Sequence, residues 1–378
     1  MLLVIIPKYA APIDDPCCYP LGLAYIVSEL ERYFKVEVCN KNLGHSIPDL
    51  SKYEAVLTHG FPEVADQIFE VAELAKQAGI PSILGGGMAT YYSNTMIKYF
   101  SSVICGEGES CFPEAIFKSG VYYGIPKDLK TSHRPSYEAI GLKEYHQKHS
   151  WRYMGVLTSR GCPYSCTFCS NICQFRTRSM NDVSDEIDEY QRDYKIEHLV
   201  VYDNTLNISR GYFNRFVDQM KGRGLSWSAC LRSDNITEAD VIKAKNAGLN
   251  YALVGVESLR QEKLDSFNKK LNVQDTYNLL EWLTKHKVKF VGGVFLGTGE
   301  DTMDDVVNDI RLMKASGFNL APNTFTAFPG TLECKSSNLT DIEHKNLEIL
   351  CGDFRINNSV TFGTGFKKQH SAVVGLSC

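Results

Sequence analysis

The chain predicts an α/β fold built in two stages: a doubly wound sheet of mostly parallel strands, a connector, and a second run of six strand–helix units. Three observations lead there. Short apolar strands alternate with helices whose apolar residues recur every three to four positions, the pattern of a parallel sheet covered by helices. The 378 residues suffice for two domains of ordinary size. The alternation also starts afresh near residue 152, after a mixed stretch without that rhythm.

In the first domain, residues 1–130, positions 2–7 read as a buried strand and 20–33 as a helix with Leu23, Ile26, Val27 and Leu30 on its apolar side. Strands follow at 36–39 and 55–58, then a helix at 62–78 that Gly79 stops. A strand at 80–84, a helix at 89–100, a strand at 103–105 and a helix to about 118 complete the series. Ligands of such sheets bind beyond the carboxyl ends of the strands. The glycines and short polar residues fall there, at 40–45, 58–61, Gly85-Gly86-Gly87 and Gly106-Glu107-Gly108-Glu109. A triple glycine permits either a tight turn or close approach of the backbone to a large flat ligand. No G-x-G-x-x-G follows the first strand, so a dinucleotide fingerprint is missing. Cys17 and Cys18, in the exit loop of that strand, read first as free surface thiols.

Residues 131–151 form a connector with one short helix; His133, His146 and His149 read as solvated rather than metal-binding. The second series, 152–330, has strands at 152–157, 198–202, 225–230, 251–256, 288–295 and 320–328. Its helices fall at 181–194, with Asp182 and Ser184 as caps, at 213–220, from Thr237 to 247, at 273–286, and at 302–316 closed by Gly317. The extension 331–378 holds a helix at 341–350, a weak strand at 353–362 and a glycine-rich tail. Its Cys334, Cys351 and Cys378 are irregularly spaced.

The chemistry concentrates in Cys162-Pro163-Tyr164-Ser165-Cys166-Thr167-Phe168-Cys169, directly after the first strand of the second series. Thiolates are soft ligands, and a clustered set without a secretory leader argues metal before disulfide. Structural zinc is one reading, with Cys173 as the fourth ligand such a site normally needs. An iron–sulfur cluster is the other. With 44% hydrophobic and 22% charged residues the chain is globular, and a net charge of −4 without a basic block asks for no nucleic acid. No run approaches the 18 apolar residues of a membrane span, and 13 cysteines without a signal peptide suit a reducing cytoplasm.

The C-x-x-x-C-x-x-C run, with Thr158-Ser159-Arg160-Gly161 before it, resembles the cluster motif of radical S-adenosylmethionine (radical SAM) enzymes, and most closely their cobalamin-binding and methylthiotransferase branches. The resemblance implies a Rossmann-like cobalamin-binding domain ahead of a partial (β/α)6 barrel, with catalytic groups on the carboxyl rim. It assigns Cys162, Cys166 and Cys169 to three irons of a [4Fe–4S] cluster and leaves the fourth iron for SAM. It places Phe168 beside the cluster, and Tyr202, Asp203 and Asn204 where SAM is contacted. It puts Arg232 near the methionyl carboxylate, and Glu257 of Gly255-Val256-Glu257-Ser258 on SAM. Arg176 and Arg178 follow the loop, as carboxylate holders or solvated side chains. Gly293 to Thr302 matches the family's glycine loop, with Thr298 where proline is usual, and Phe328-Pro329-Gly330-Thr331 resembles the closing P-G-T.

For cobalamin the resemblance points to Gly85, Gly86, Gly87 and Thr90, and to Gly106, Glu107 and Gly108. The D-x-H-x-x-G motif of the methionine synthase and mutase domains is absent; in Asn40-Lys41-Asn42-Leu43-Gly44-His45 the histidine is misplaced. The implied activity is reductive cleavage of SAM to methionine and a 5'-deoxyadenosyl radical, followed by C-methylation of an unactivated carbon in a small-molecule natural product or a peptide. Cyclisation, ring contraction or rearrangement with the same cofactors is the alternative. A flavodoxin or ferredoxin is the implied electron donor.

Overall fold

The computed structural model describes residues 1–9, 20–129, 134–148, 152–171, 173–299, 301–325 and 331. The calls on Cys17, Cys18, His133, His149, residues 326–330 and everything from 332 onward lie outside the described residues. The chain divides into two compact units. One comprises Met1–Arg152 together with Asn171–Arg176; the other begins with Tyr153–Ser170 and resumes at Thr177.

The first unit is a six-stranded parallel sheet, order β2-β1-β3-β4-β5-β6. Its strands are β1 (Leu2–Ile6), β2 (Val36–Asn40), β3 (Ala55–His59), β4 (Ser82–Gly85), β5 (Ser102–Cys105) and β6 (Gly120–Tyr123). All five residues of β1 are buried, as a central strand covered on both faces must be. Helices α1 (Leu21–Leu30), α2 (Ala65–Ala78), α3 (Gly86–Met96), α4 (Glu114–Phe117) and α5 (Leu142–Lys148) complete the unit. Val64, Ile68 and Ala72 pack with Leu84, Met88 and Val103, while Val71 and Ala75 pack with Leu3, Ile5 and Val56. The strand order reverses between β1 and β3, which makes the crevice beyond their carboxyl ends the natural ligand site.

Two features differ from the sequence reading. Strand β6 was not anticipated, because it is four residues long and none of them is fully buried. The glycine run is not a free loop: Gly85 ends β4 while Gly86 and Gly87 open α3. Gly86 takes φ +78°, and a Cβ there would lie 3.1 and 3.2 Å from the backbone N and O of Gly60. A Cβ on Gly87 would lie 2.3 Å from the Phe61 ring. Both absences let α3 start hard against the exit of β3.

The second unit has six parallel strands in chain order: β7 (Tyr153–Val156), β8 (His198–Val201), β9 (Ser226–Leu231), β10 (Leu249–Glu257), β11 (Lys289–Leu296) and β12 (Leu320–Thr324). Helices α6 (Met180–Tyr194), α7 (Arg210–Met220), α8 (Glu238–Asn246), α9 (Gln261–Ser266), α10 (Val273–Lys285) and α11 (Met303–Ser316) connect them. Trp227 of β9 is fully buried, edge-on to Phe216 at 5.2 Å, and its Nε1 donates to Ala247 O at 2.9 Å. Helix α9 was not anticipated. The cap of α6 also differs. Its N-cap is Ser179, with no side-chain bond, whereas the Asp182 carboxylate takes Arg178 at 2.8 Å and the Ser184 hydroxyl takes Arg223 at 2.6 Å. Guanidinium groups outcompete backbone amides for these oxygens because charge-assisted bonds are stronger. No helix among the described residues is long and apolar enough to cross a membrane.

The capping boxes at Thr237 and Thr302 are both present. Thr302 donates its N–H and hydroxyl to the Asp305 carboxylate at 2.9 and 2.7 Å, and its oxygen accepts from Asp305 N at 3.3 Å. Thr302→Ala is expected to lower the stability of the unit by about 1 kcal/mol, read as a lower urea midpoint at unchanged slope by tryptophan fluorescence.

Candidate active site on the cysteine loop

Parallel pairing brings six strand exits to one rim. Val156, Val201 and Ala229 stand in register across β7, β8 and β9, and Gly255 pairs with Gly293 across β10 and β11. The cysteine loop follows β7, Tyr202 and Asp203 follow β8, Arg232 follows β9, Glu257 ends β10, and Thr298 follows β11. These sequence-predicted residues therefore share an edge.

The loop is closed at its neck. Thr158 O accepts from Arg178 N at 2.8 Å and from the Tyr212 hydroxyl at 2.8 Å, and Leu157 O accepts from Arg178 Nη1 at 2.9 Å. The Asp203 carboxylate, 1% exposed, accepts from Thr158 N at 2.7 Å, Thr158 Oγ1 at 2.5 Å and Ser159 Oγ at 2.6 Å. Burial pushes the Asp203 carboxyl above the usual carboxylate range, and those donors pull against the shift. Asp203 thus anchors the loop's root. Tyr202 lies beside it, donating its N–H to Val156 O at 2.9 Å.

The far side of the loop is gripped by residues that the sequence reading passed over. Between α9 and α10, Phe267 O accepts from Thr167 N at 3.0 Å, and Asn268 Nδ2 donates to Ser165 O at 2.9 Å. Phe168 stands edge-on to Phe267 at 5.2 Å and Phe295 at 5.1 Å, an apolar floor under the cysteines. Asn268 and Lys270 adopt left-handed φ of 50° and 53°. The one available signal was Asn268, a residue type that tolerates such a turn.

Arg232 is 5% exposed and lies flat over Tyr164, with 3.6 Å from its Cζ to the ring centroid. Its Nε and Nη2 donate to Asp234 at 2.9 and 3.2 Å, and Nη2 also to Lys269 O at 2.9 Å. The Tyr164 hydroxyl also hydrogen-bonds with the Arg232 side chain. Lys269 Nζ binds Glu257 Oε1 at 2.7 Å and stands 5.7 Å from the Phe168 ring centroid. Glu257 has φ +60°, a conformation costing a non-glycine residue on the order of 1–2 kcal/mol. It sits where the β10–β11 register slips. A Cβ on Gly255 would fall 2.7 Å from Glu257 Oε1 and 3.1 Å from Lys269 Nζ, so this glycine makes room for the ion pair.

The loop after β11 is braced by buried charge. Lys263, 5% exposed, bridges Asp301 at 2.6 Å and Asp309 at 3.0 Å, and Arg260 reaches Asp309 at 2.7 Å. Asp301 accepts in turn from Thr298 N at 2.8 Å. The threonine that replaces the family's usual proline is thereby held by a donor that proline lacks.

Cys162 and Cys166 are half-buried and Cys169 exposed. Burial pushes the Cys162 thiol up, the Tyr164 N–H and the nearby charges of Arg232 and Lys269 act the other way, and Cys166 adds to the rise. Among the described residues no three His, Cys, Asp or Glu side chains are drawn into a ready metal cage. The donor set nonetheless fits an iron–sulfur cluster: three soft donors on one braced loop. Cys173 groups with the N-terminal unit.

In the N-terminal unit, Gly106 takes φ +73° and donates its N–H to Thr90 Oγ1 at 3.0 Å. Gly108 opens a short turn whose walls, Ile104 and Ile26, stand 3.1 and 3.2 Å from where its Cβ would be. Glu107, 8% exposed, is paired bidentately with Arg176, one contact at 3.4 Å and the other shorter. Arg178 binds Asp182 and, at 2.5 Å, the fully buried Glu186. Both arginines hold carboxylates of the protein itself.

The family model described as the radical SAM superfamily matches residues 156–313. Bacteriochlorophyllide d C-12(1)-methyltransferase of Chlorobaculum tepidum is 26% identical over 329 residues, covering 82% of this chain and 72% of that protein. Among solved structures, the radical SAM methyltransferase TsrM from Kitasatospora setae, with cobalamin and [4Fe–4S] cluster bound, superposes with a TM-score of 0.69 at 16% identity, covering 88% of this chain and 76% of that one. The cobalamin-dependent radical SAM enzyme OxsB, with aqua-cobalamin bound, gives 0.68 at 14% identity, covering 95% and 56%. The braced cysteine loop, its rim and the two-sheet fold agree with these matches: residues 156–313 form a radical SAM domain, and the chain has the fold of the cobalamin-dependent radical SAM structures.

Proposed function

We propose that the chain is a cobalamin-dependent C-methyltransferase, acting on an unactivated carbon of a natural product or a peptide side chain. The observation that carries the reading is the rim itself. A three-cysteine loop lies beside the buried Arg232, stacked on Tyr164 of that loop, and a Glu257–Lys269 pair. The extended similarity to a protein named a C-methyltransferase supports the methyl-transfer part.

In this reading Cys162, Cys166 and Cys169 hold the cluster, which when bound supplies one electron to SAM, and a corrinoid in the N-terminal unit supplies the methyl group. Arg232 receives the methionyl carboxylate. Glu257, held by Lys269, takes the ribose or amine of SAM, and Phe168 excludes water beneath the loop. Asp203 fixes the loop's root and touches no substrate. Gly85, at the carboxyl edge of the first sheet, has no atom within 4 Å of where its Cβ would lie, and leaves space for a flat ligand. The electrons come from a flavodoxin or ferredoxin in a reducing cytoplasm. Ring closure or rearrangement uses the same residues and differs only in the fate of the substrate radical.

The test is composition followed by label. Protein reconstituted anaerobically with iron, sulfide and hydroxocobalamin is expected to hold about four irons and one cobalt per chain, and to pass label from the SAM methyl group into product. Four irons without cobalt would remove the methylcobalamin step, and zinc without SAM cleavage would remove radical chemistry altogether.

The loop and its root separate in stability. Cys169→Ala, an exposed position, is expected to change unfolding free energy by less than about 0.5 kcal/mol while abolishing iron retention. Asp203→Ala strands buried donors and is expected to cost roughly 3 kcal/mol or more, measured by urea unfolding of the iron-free protein.

A further inference from the structure

Six non-glycine residues among those described take a left-handed φ. Lys195 and Lys287 lie just beyond α6 and α10, where such a residue is an ordinary way to stop a helix. The other four, Asn235, Glu257, Asn268 and Lys270, belong to the strand end and loops of the carboxyl rim. Left-handed backbone costs a non-glycine residue free energy, and it persists where the surroundings over-determine it, above all at functional sites.

Two of the four are asparagines, and both use the side-chain amide in the same way. Asn235, after β9, has φ +54° and donates Nδ2 to the Tyr164 hydroxyl and to Ile208 O, each at 3.1 Å. Asn268, between α9 and α10, has φ +50° and donates Nδ2 to Ser165 O at 2.9 Å and to Ser165 Oγ at 3.0 Å. Tyr164 and Ser165 are consecutive and lie between Cys162 and Cys166. The stretch joining two of the thiols is therefore clamped by two separate loops.

The same two loops hold Arg232. Asp234, next to Asn235, accepts from Arg232 Nε at 2.9 Å, and the carbonyl of Lys269, next to Asn268, accepts from Nη2 at 2.9 Å. The ring that Asn235 binds is also the one under the guanidinium, 3.6 Å from Cζ to the Tyr164 centroid. Each asparagine thus grips the cysteine loop while its neighbour in the chain grips the arginine.

We propose that Asn235 and Asn268 are positioning residues for SAM, holding the Cys162–Cys166 stretch and Arg232 at one fixed spacing. The inference rests on the reading above, in which Arg232 receives the methionyl carboxylate. Neither asparagine touches SAM. Asparagine suits the task because it tolerates left-handed backbone and carries a short amide donor, a combination that glycine and aspartate lack.

The test uses Asn235→Gly and Asn268→Gly, singly and together, in the full chain reconstituted anaerobically with iron and sulfide. Glycine takes a left-handed φ without strain, so each substitution removes the amide alone. Equilibrium dialysis with labelled SAM gives the dissociation constant per loaded cluster, and urea unfolding is followed on the iron-free protein. The expected result for the double variant is retained iron, an unlowered urea midpoint and a SAM dissociation constant raised about tenfold. Tyr164→Phe, which keeps the ring under Arg232, is expected to weaken SAM binding by itself. Adding Asn235→Gly to it is expected to weaken binding no further.

Wild-type SAM affinity in the double variant overturns the proposal. So does loss of iron, which would assign the asparagines to cluster assembly, or a lowered urea midpoint, which would assign them to stability. An undiminished effect of Asn235→Gly on top of Tyr164→Phe also overturns it, because the hydroxyl would not be the route. A wild-type chain that holds iron but no SAM removes the SAM reading and this inference together. Tyr164→Phe alone still reads the contact if a glycine variant does not fold.

Discussion

Everything at the rim depends on the knot at Thr158. Its N–H and hydroxyl go to Asp203, and its carbonyl receives Arg178 N and the Tyr212 hydroxyl. Through this one residue the start of the cysteine loop, its end, the exit of β8 and helix α7 are tied together. The price is a buried carboxylate, whose desolvation is offset by short charge-assisted bonds. Such a neck limits the conformational freedom of the loop that carries the three thiols, because a loop closed at its root has less entropy to lose on ordering. Arg178 strengthens the neck from the other side by pairing with Asp182 and Glu186 of α6.

The electrostatics of the loop follow the same economy of placement. Arg232 and Lys269 are both buried, yet each is tied to an acidic partner, Asp234 and Glu257. The rim therefore carries cations near Cys162 without an unpaired buried charge. The two cations act against the rise that burial imposes on the Cys162 thiol. Their pairing also rigidifies the place where SAM is expected, since both cations are fixed by backbone or carboxylate before any ligand arrives.

Much of this was legible from residues adjacent to strand ends. The cysteine run, Arg232, Gly255 and Glu257 could be read because each lies at or shortly beyond the end of an apolar strand, and parallel strands deliver such residues to a common edge. What escaped notice acts across long stretches of chain. Asn268 and Phe267 reach Ser165 and Thr167 over about a hundred residues, and no local pattern encodes that contact. Helix α9 is six residues long and strand β6 four, too short for periodicity to register. Asp182 and Ser184 looked like caps because cap residues are recognised by type, and type does not reveal that arginines elsewhere in the fold claim their oxygens. The roles expected for Asp203 and Glu107 as cofactor contacts meet side chains already engaged with Thr158 and Arg176.

The glycine run shows how a sequence signal divides once coordinates are at hand. From sequence, Gly85, Gly86 and Gly87 suggested close approach of a flat ligand. Gly87 instead clears space for Phe61, and Gly86 for the backbone of Gly60. Two of the three glycines thus have a sufficient reason inside the protein, and only Gly85 faces open space. Opposite Gly85 in register stands His59, whose Nε2 is buried without a hydrogen-bond partner among the described residues. A core histidine in a folded protein tends to satisfy both nitrogens, as His198 does within this same chain.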